Sequence, residues 1–504
     1  MQLSKATLTS LKQDPALVVP TPAQLELPEK VLQFGTGVLL RGLPDYFIDK
    51  ANREQLFNGR IVVVKSTDTG GADAFETQNG LYTICVRGLE DGKEINEYIV
   101  NSSISRVLSA KTQWQQILEF AKSPELEVVI SNTTEVGIVM SEDRITDEPP
   151  ASFPGKLLAV LYERFKTFGG AADKGLVIVP TELIIENGRK LKEIVLQLAE
   201  QNQLEAAFIN WINDANSFCN SLVDRIVPGK LGGSDLEQTA AWLGYTDELM
   251  IMSEVFRLWA IEADSPRVSE VLSFAQADPG VVIAPDIEKF RELKLRLLNG
   301  THTLSCGLAY LAGFETVKEA MGDAAFNGFV TKLSKDELAT GVTGVKITYE
   351  EACRFADSVI ERFKNPFLDH KWLSISFAYT SKMLMRDVPL IKNFYSKAQQ
   401  GPSAIALGFA AYLLFMKSEK EGTQYTGTVN GKTYVLNDDK AGILSQKWQE
   451  SATTDDLVQR VLEDTGLWNE DLTHIPGFAA DVKEQLNRLT ESGAQTALKK
   501  LIKG

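Results

Sequence analysis

The chain has 504 residues, of which 44% are hydrophobic and 24% charged, with a formal net charge of -15 at pH 7. This composition is typical of a folded globular protein, and the acidic balance without any Lys/Arg block argues against a nucleic-acid partner. The length exceeds what one hydrophobic core usually supports. We therefore expect two domains, residues 1–245 and residues 246–504.

The positions of the cysteines, histidines and apolar residues further restrict the class of protein to which the chain can belong. The four cysteines are scattered and form no CxxC pair, and the first ten residues do not resemble a signal peptide, so we expect a cytoplasmic protein with reduced thiols. The longest apolar run, residues 404–416, is too short to span a bilayer, and it predicts a buried helix and no membrane partner. The three histidines lack any metal-ligand spacing, so we expect no metal site.

The first half alternates between short β-branched runs and helix-period segments. Near-continuous apolar strands suit a parallel sheet that is buried on both faces. Helical patterns such as "TQWQQILEFAK" and "KLLAVLYERFKTF" separate them, which predicts a Rossmann-like, doubly wound α/β domain. The predicted strands are "VLQF" (31–34), "RIVVVKST" (60–67), "LEVVISNTT" (126–134) and "GLVIVPTE" (175–182).

The second half changes in texture beyond about Lys230, where strand-like runs almost vanish. Helix-period segments at 289–312, 349–363 and 453–462 predict a mostly α-helical domain. One exception is "TGTVNGKTYVL", whose Asn430-Gly431 pair predicts a β-hairpin.

A glycine loop follows the first major predicted strand in "VLQFGTGVLLRG". Gly35-Thr36-Gly37 and the following Val38 would let the backbone approach a pyrophosphate at the start of a helix, which we expect at Pro44-Asp45. The usual third glycine is missing, because Leu40 stands in its place. A plain tight turn is the alternative interpretation.

Two further polar strand ends are candidates for the cofactor crevice. Asp68 follows the second strand, where a carboxylate would favour NAD by repelling a 2′-phosphate, although Lys65 and Ser66 would welcome one. Asn132 and Thr133 follow the third major strand, at the sheet edge that commonly lines the crevice. An ordinary loop and a helix cap are the structural alternatives.

The segment "KLRLLNGTHTLSCGLAYLAG" (294–313) places polar groups on a face that should be apolar. At about 100° per residue, Lys294, Asn299 and His302 fall within roughly 140° of a helix circumference. A zinc-independent dehydrogenase needs a side-chain base, and a desolvated lysine can serve. Asn299 and His302 would then position the substrate oxygens. The structural alternative is a snorkelling lysine, a helix end and a core histidine.

Together these segments resemble the mannitol dehydrogenase family of long-chain, zinc-independent dehydrogenases. "KLRLLNGTH" is similar to the K-x4-N-x2-H catalytic motif of that family, and "FGTGVLLRG" is similar to its cofactor loop. The segments "QNGLYT", "SNTTE", "LVDRIVP" and "NPFLDHKWLSISFAYTSK" resemble further family blocks, so the resemblance covers roughly residues 30–480. It implies NAD as the cofactor, Lys294 as the general acid/base, and an active site in a cleft between a Rossmann-like domain and a helical domain.

Two positions depart from the polyol members of the family. Glu182 stands where those members have an asparagine, and Ser374 where they have an arginine. We therefore expect different substrate contacts, with Glu182 among them. Lys382 matches a family lysine.

The segments "TELIIENG", "NPFLDHKWLSISF" and "YVLNDDKAGIL" look most like the branch of the family that interconverts D-tagaturonate and D-altronate in hexuronate breakdown. A sugar-acid substrate needs a cationic partner for its carboxylate, and the candidates are Lys382, Arg386 and Arg225, each of which could instead form a structural ion pair. We expect a monomer. Alternatives are a fructuronate/mannonate or mannitol-type enzyme, a sugar-acid isomerase or epimerase, and a non-catalytic sugar or NAD sensor.

Overall fold

The computed structural model describes residues 1–66, 72–133, 137–397 and 403–503. The chain divides into two compact units, Met1–Ile287 and Glu288–Gly504. The boundary lies after Ile287 rather than after residue 245, because strands at Ile251–Glu254 and Leu258–Glu262 pair with strands from the first 245 residues. Long-range strand pairing of this kind leaves no local signal in the sequence.

The first unit contains thirteen strands among its described residues. They are β1 (Leu17–Val18), β2 (Glu29–Phe34), β3 (Arg60–Lys65), β4 (Tyr82–Glu90), β5 (Lys93–Asn101), β6 (Ile104–Ser109), β7 (Val128–Ser131), β8 (Val177–Pro180), β9 (Ser217–Phe218), β10 (Ser221–Asp224), β11 (Ile251–Glu254), β12 (Leu258–Glu262) and β13 (Val281–Ala284).

Nine α-helices accompany these strands in the described part of the first unit. They are α1 (Val38–Gly42), α2 (Pro44–Arg53), α3 (Ala72–Thr77), α4 (Trp114–Ala121), α5 (Phe153–Phe168), α6 (Asn187–Gln201), α7 (Ala206–Ala215), α8 (Gly233–Leu243) and α9 (Pro266–Val271). Short 3-10 helices lie at Lys5–Ser10, Pro22–Glu26, Ala172–Lys174 and Ser273–Ala277.

The main sheet has six parallel strands in the order β6-β3-β2-β7-β8-β9. Numbered along the chain, this is the 3-2-1-4-5-6 order of the Rossmann fold, whose ligands bind where the strand order reverses. The reversal lies between β2 and β7, and Phe34 is in register with both Val64 and Ser131. The predicted doubly wound α/β domain is confirmed.

Successive residues of the central strands enter opposite cores. Val31, Ile61 and Val63 pack into one apolar cluster, whereas Leu32 and Val62 pack into a second cluster on the other face. Both faces of the main sheet are therefore covered by apolar cores, which explains why the sequences of these strands are almost continuously apolar.

Two smaller sheets complete the first unit, with strand orders β1-β5-β4-β11 and β10-β12-β13. Their later strands are only four or five residues long, which is why the expectation that strands almost vanish beyond Lys230 is wrong for residues 251–284.

The second unit is mostly helical. Its helices are α10 (Glu288–Glu292), α11 (Thr301–Leu311), α12 (Val317–Gly322), α13 (Ala324–Thr331), α14 (Ala339–Val342), α15 (Tyr349–Phe363), α16 (Trp372–Ile375), α17 (Tyr379–Lys382), α18 (Val388–Lys397), α19 (Ser403–Phe415), α20 (Ala441–Glu450), α21 (Thr454–Leu462), α22 (Thr465–Trp468), α23 (Phe478–Ser492) and α24 (Ala494–Lys503). Stretches of π-helix lie at Leu293–Gly300, Lys332–Leu338 and Met383–Asp387, and a 3-10 helix lies at Leu472–His474.

Two local predictions for this unit are confirmed. The described side chains of α19 are almost all buried, as the apolar run predicted. Strands β14 (Glu419–Glu421), β15 (Gln424–Val429) and β16 (Lys432–Val435) form a small antiparallel sheet. Asn430 and Gly431 form the turn between β15 and β16 with positive φ angles of 51° and 76°, the conformation for which Asn-Gly is favoured.

Candidate active site

The glycine loop connects β2 to α1 at the reversal point of the main sheet. Gly35 has a φ of 126°, and a Cβ built there would lie 2.9 Å from Leu40 Cδ1 and 3.1 Å from the Asn132 carbonyl oxygen. Gly37 is exposed, and no atom lies within 4 Å of a Cβ built there. Gly35 is thus required by the fold, whereas Gly37 leaves open space beside the backbone.

The helix after this loop begins earlier than predicted. α1 starts at Val38 with Gly37 as its N-cap, and α2 starts at Pro44, with Leu43 between them outside the helical region. Pro44 has no N–H to continue the first helix, so the chain makes two helices where we expected one. Leu40, in the place of a third glycine, is fully buried.

Polar side chains from β7 and β8 meet at the same sheet edge. The Asn132 N–H donates to the Phe34 carbonyl at 3.2 Å, and its side-chain amide donates to Thr181 Oγ1 at 3.0 Å. Glu182 is 3% exposed and accepts hydrogen bonds from the Ser131 hydroxyl (3.2 Å) and from the Thr133 N–H (2.9 Å). Two motifs that the sequence separates by about fifty residues therefore form one network.

Asp68, the residue expected at the ribose, lies outside the described residues. Lys65, the last residue of β3, is buried, and its carbonyl accepts the Ala110 N–H at 2.9 Å. Thr36 lies in the glycine loop, and its carbonyl accepts from Arg41 Nε at 3.3 Å.

Arg225 has the surroundings of a structural residue. It is 6% exposed, donates to the carbonyls of Glu254 (2.9 Å) and Gly42 (2.6 Å), and lies 4.4 Å from the centre of the Tyr46 ring. Burial lowers the pKa of its guanidinium to about 10. These contacts favour a role in holding the segment after α1 in place over contact with substrate.

Lys294 lies in the π-helical stretch Leu293–Gly300, which joins α10 to α11 without a break. Main-chain hydrogen bonds of a π-helix join residues five apart, so position i+5 returns close to position i. Lys294 and Asn299 are five residues apart and therefore share a face. In a regular α-helix, Lys294 and Asn299 would be roughly 140° apart around the helix axis. The π-helical geometry corrects that expectation.

His302 lies in the first turn of α11 and is 8% exposed. Its ring stacks on Phe363 with centroids 4.0 Å apart. Burial first, and then the positive charges of His370, Arg362, Arg386 and Lys382, hold the pKa of His302 well below its usual value. The imidazole is therefore neutral at physiological pH.

Lys382 and Arg386 lie on the helical run that begins with α17, and Arg386 contacts the segment that carries Asn299 and His302. Arg386 donates to Thr303 Oγ1 at 3.1 Å and to the Asn299 carbonyl at 3.5 Å. Lys382 Nζ donates to the Ile375 carbonyl at 2.8 Å. Burial lowers the pKa of both side chains, and Arg386 adds to this effect at Lys382.

Sequence reasoning missed Tyr379, which joins the family-like block at residues 365–382 to α11. Its hydroxyl donates to the Thr303 carbonyl and accepts from the Gly307 N–H, both at 2.8 Å. A Cβ at Gly307 would lie 3.1 Å from that hydroxyl. The sequence does show Tyr379 within that block and Gly307 inside a helix-period segment. It does not show that the two residues meet, because their contact depends on the tertiary structure.

Membrane-spanning helices and clusters of metal ligands are both absent from the described ranges. No helix in 1–66, 72–133, 137–397 or 403–503 has the length and apolarity needed to cross a bilayer. Within the same ranges no three His, Cys, Asp or Glu side chains come together in a way that would hold a metal ion.

Comparison with known proteins accounts for both units. Residues 29–271 match the Mannitol dehydrogenase Rossmann domain, and residues 286–490 match the Mannitol dehydrogenase C-terminal domain. An altronate oxidoreductase of Bacillus subtilis is 38% identical over 477 residues, which cover 94% of this chain and 95% of the relative. Another, of Bacteroides thetaiotaomicron, is 36% identical and covers 97% of this chain and 100% of the relative.

Two solved structures share the fold over the whole chain. A Pseudomonas fluorescens mannitol 2-dehydrogenase in ternary complex with NAD and D-mannitol has a TM-score of 0.67 at 23% identity, with 100% of both chains covered. A substrate-free D-sorbitol dehydrogenase has a TM-score of 0.77 at 21% identity, with 99% of this chain and 100% of the other covered. Since the matched domains and relatives span nearly all of its length, the chain belongs to the mannitol dehydrogenase family.

Proposed function

We propose that this protein reduces D-tagaturonate to D-altronate with NADH, and runs the reverse oxidation with NAD, as a step in hexuronate catabolism. Relatives named altronate oxidoreductase, similar over 94–97% of the chain, support the choice of substrate. The structural observation that carries the chemistry is one continuous helical segment bearing Lys294, Asn299 and His302, with Lys382 and Arg386 beside it.

The residues at the sheet reversal fit a dinucleotide. The open space beside Gly37 admits a pyrophosphate close to the backbone, and the N–H groups at the start of α1 suit its charge. We assign Gly35, Thr36, Gly37, Val38, Asn132 and Thr133 to cofactor binding. When bound, the nicotinamide supplies the hydride in reduction and accepts it in oxidation.

Lys294 transfers the proton. In reduction its ammonium group protonates the substrate oxygen as the keto carbon is reduced, and in oxidation the neutral amine removes the hydroxyl proton. Asn299 lies on the same face of the π-helical stretch and holds the reacting oxygen beside Lys294. His302 is neutral, so it positions a substrate hydroxyl by hydrogen bonding without adding charge.

Lys382 and Arg386 bind the substrate carboxylate in this proposal. Glu182 supports the proposed cofactor-binding residues at the end of β7, because both of its oxygens accept hydrogen bonds from Ser131 and Thr133. We also propose a cytoplasmic monomer, and size-exclusion chromatography with light scattering tests its mass.

The deciding experiment follows NADH consumption with tagaturonate, fructuronate and fructose in parallel, with a chelator present throughout. Turnover on tagaturonate alone supports the proposal. Turnover on fructose alone would keep the role of Lys294 but assign a polyol substrate. If NADH and NADPH both remain unoxidised, solvent deuterium entering the substrate carbon would instead identify an isomerase or epimerase.

Cofactor choice has its own test at Asp68. Asp68→Ala removes the carboxylate proposed to repel a 2′-phosphate, so we expect the preference for NADH over NADPH, measured as the ratio of kcat/KM values, to fall. Asp91→Ala, in a turn between β4 and β5, is the matched control. An unchanged ratio in Asp68→Ala would place the ribose contact elsewhere.

A further inference from the structure

His370 is the second histidine at the catalytic segment, and the mechanism above does not use it. It ends the segment Asn365–His370, is exposed to solvent, and its carbonyl accepts the Val317 N–H at 2.9 Å. Its ring meets the His302 ring at 70° with centroids 5.3 Å apart. The His302 ring packs against Phe363 and Trp372. It therefore limits where the neighbouring His370 ring can lie on that side.

The charges around this pair of rings are positive. The positive charges of Arg362, Lys382 and Arg386 all lower the pKa of His302, and the charge of Lys382 also lowers the pKa of His370. Within the described part of the chain, neither Lys382 nor Arg386 forms an ion pair with a carboxylate. Arg362 lies in α15, whereas Lys382 and Arg386 lie four residues apart on the continuous helical run from α17 into the π-helical stretch Met383–Asp387, so two separate helices supply these cations.

Two carboxyl groups are adjacent in sequence to members of this cluster. Asp369, next to His370, forms an ion pair with Lys318 at 2.8 Å. Asp387 is fully buried, neither of its oxygens has a hydrogen-bond partner within the described residues, and burial raises its pKa well above the usual value. Burial disfavours the charged form of Asp387, so this carboxyl offsets less of the positive charge than an exposed carboxylate would. The cluster is therefore suited to an anion.

We propose that His370 is a substrate-binding residue that recognises the carboxylate of the sugar acid together with Lys382 and Arg386, an inference that rests on the proposed sugar-acid reductase function. A neutral hexitol or ketose has no group that needs three cationic or cation-forming side chains. His370 would therefore determine specificity for acids over neutral sugars. The likeness of the chain to polyol dehydrogenase structures does not indicate this residue.

The proposal has a definite dependence on pH. The protein around the ring, and then the charge of Lys382, lower the pKa of His370 in the free protein. A bound carboxylate favours the imidazolium form and raises that pKa. By linkage, the affinity for the acid must increase as the pH falls through the pKa of His370. The affinity for a neutral analogue should not change with this group.

The chain has only three histidines, so nuclear magnetic resonance can follow each of them in the full-length protein labelled with ¹³C at histidine Cε1. Signals are assigned with His302→Gln, His370→Gln and His474→Gln. Adding D-altronate should raise the pKa of His370 by about 1 unit, the effect of one opposite charge nearby. The neutral hexitol altritol should leave it unchanged. His474, which is exposed and lies near Asp471 in another element, is the internal control.

Steady-state kinetics provide the second arm. We expect His370→Gln to lower kcat/KM for tagaturonate about tenfold, as for a lost hydrogen bond to a charged group, and to flatten its rise at acid pH. The rate with a neutral ketose, where measurable, and the behaviour of His474→Gln should match wild type. An altronate-independent pKa of His370, or an unchanged ratio of acid to neutral kcat/KM, would overturn the assignment.

The proposed function and the proposed role of His370 can be disproved separately. If the wild-type protein does not oxidise NADH with tagaturonate, the proposed function is wrong, whatever the resonance experiment shows. If the wild type turns over tagaturonate but the His370 signal ignores altronate, only the role of His370 is wrong.

Discussion

Lys294 is half-buried in a π-helical stretch whose geometry places it on one face with Asn299. Rotation of the segment into a regular α-helix would separate the two side chains. The proposed roles of Lys294 and Asn299 therefore depend on a local departure from α-helical geometry.

Lys294→Ala removes the proton-transfer group. We expect turnover with tagaturonate to fall about 10²–10⁴-fold, the usual contribution of general acid–base catalysis. NADH binding, measured by fluorescence titration, should be nearly unchanged, because the cofactor residues lie in the other unit. Near-normal turnover would refute the catalytic assignment.

Lys289→Ala is the matched control for that variant. Lys289 lies one turn earlier on α10, about a third exposed, and forms an ion pair with Glu351 at 3.3 Å. A partly exposed pair of this kind contributes at most about 1 kcal/mol to stability. Its loss should leave turnover close to wild type, which separates the effect of Lys294 from general removal of a lysine.

At the scale of elements, the hydroxyl of Tyr379 bridges two main-chain groups of α11 that are four residues apart. Tyr379→Phe removes the bridge, and the Thr303 carbonyl and Gly307 N–H can then bond directly within the helix. We expect a stability loss of only about 1 kcal/mol, since no main-chain group need remain unpaired. The shift of α11 beneath His302 should nevertheless lower kcat/KM.

Tyr412→Phe provides the comparison, since Tyr412 is also buried and its hydroxyl bonds Thr380 at 2.8 Å, outside α11. Its Tm should fall to a similar extent, while kcat/KM stays near wild type. Equal kinetic losses in the two variants would show that packing alone, rather than the bridge to α11, explains the effect of Tyr379.

The two glycines of the β2–α1 loop give a second test at this scale. Gly35→Ala forces a side chain into a positive φ and against Leu40, so we expect a loss of about 1–3 kcal/mol in stability together with weaker NADH binding. Gly37→Ala has an ordinary φ of -62° and open space, so its stability should stay close to wild type. NADH affinity alone should fall. Unaltered affinity in Gly37→Ala would remove this loop from the cofactor site.

At the scale of the whole molecule, buried carboxylates link stability to pH. Glu337 is 3% exposed and accepts the N–H groups of Ala404 (3.1 Å) and Ile405 (2.7 Å) at the start of the buried helix α19. Burial raises its pKa to about 7, and burial raises the pKa of Asp45 in the first unit to about 7 as well.

The sign of the effect follows from proton uptake. Between the unfolded pKa of about 4.3 and the folded value of about 7, the folded state holds a proton that the unfolded chain has lost. This contribution to stability is complete below about pH 4 and is lost as the pH rises through 7. Its size is on the order of 3 kcal/mol for Glu337.

Glu337→Gln should therefore flatten the fall of Tm between pH 5 and 8, measured by calorimetry in a series of buffers. The slope is the criterion, because glutamine also changes the cap of α19 and lowers the Tm at every pH. Asp336→Asn, on an exposed neighbour, should leave the wild-type slope. A slope that is equal in all three proteins would show that Glu337 is ionised throughout this range.

Much of the fold was predictable because the deciding signals are local or periodic. The four predicted strands of the main sheet, the helices at Phe153–Phe168 and Tyr349–Phe363, and the Asn430-Gly431 hairpin are all present. Apolar strands buried on both faces, helix-period segments and residues that accept positive φ angles each leave a pattern within a few residues. The identity and spacing of Lys294, Asn299 and His302 also follow from the chain alone.

Only the tertiary structure decided how these pieces work together. Strands β11 and β12 joined the first unit through partners more than thirty residues away, which moved the domain boundary. The π-helical stretch brought Lys294 and Asn299 to one face, Arg225 became a buried structural side chain, and His370 came within 5.3 Å of His302. Pairing, helix register and the environment of a charge depend on groups distant in sequence, so the sequence itself determined the chemical groups, and packing determined which of them meet.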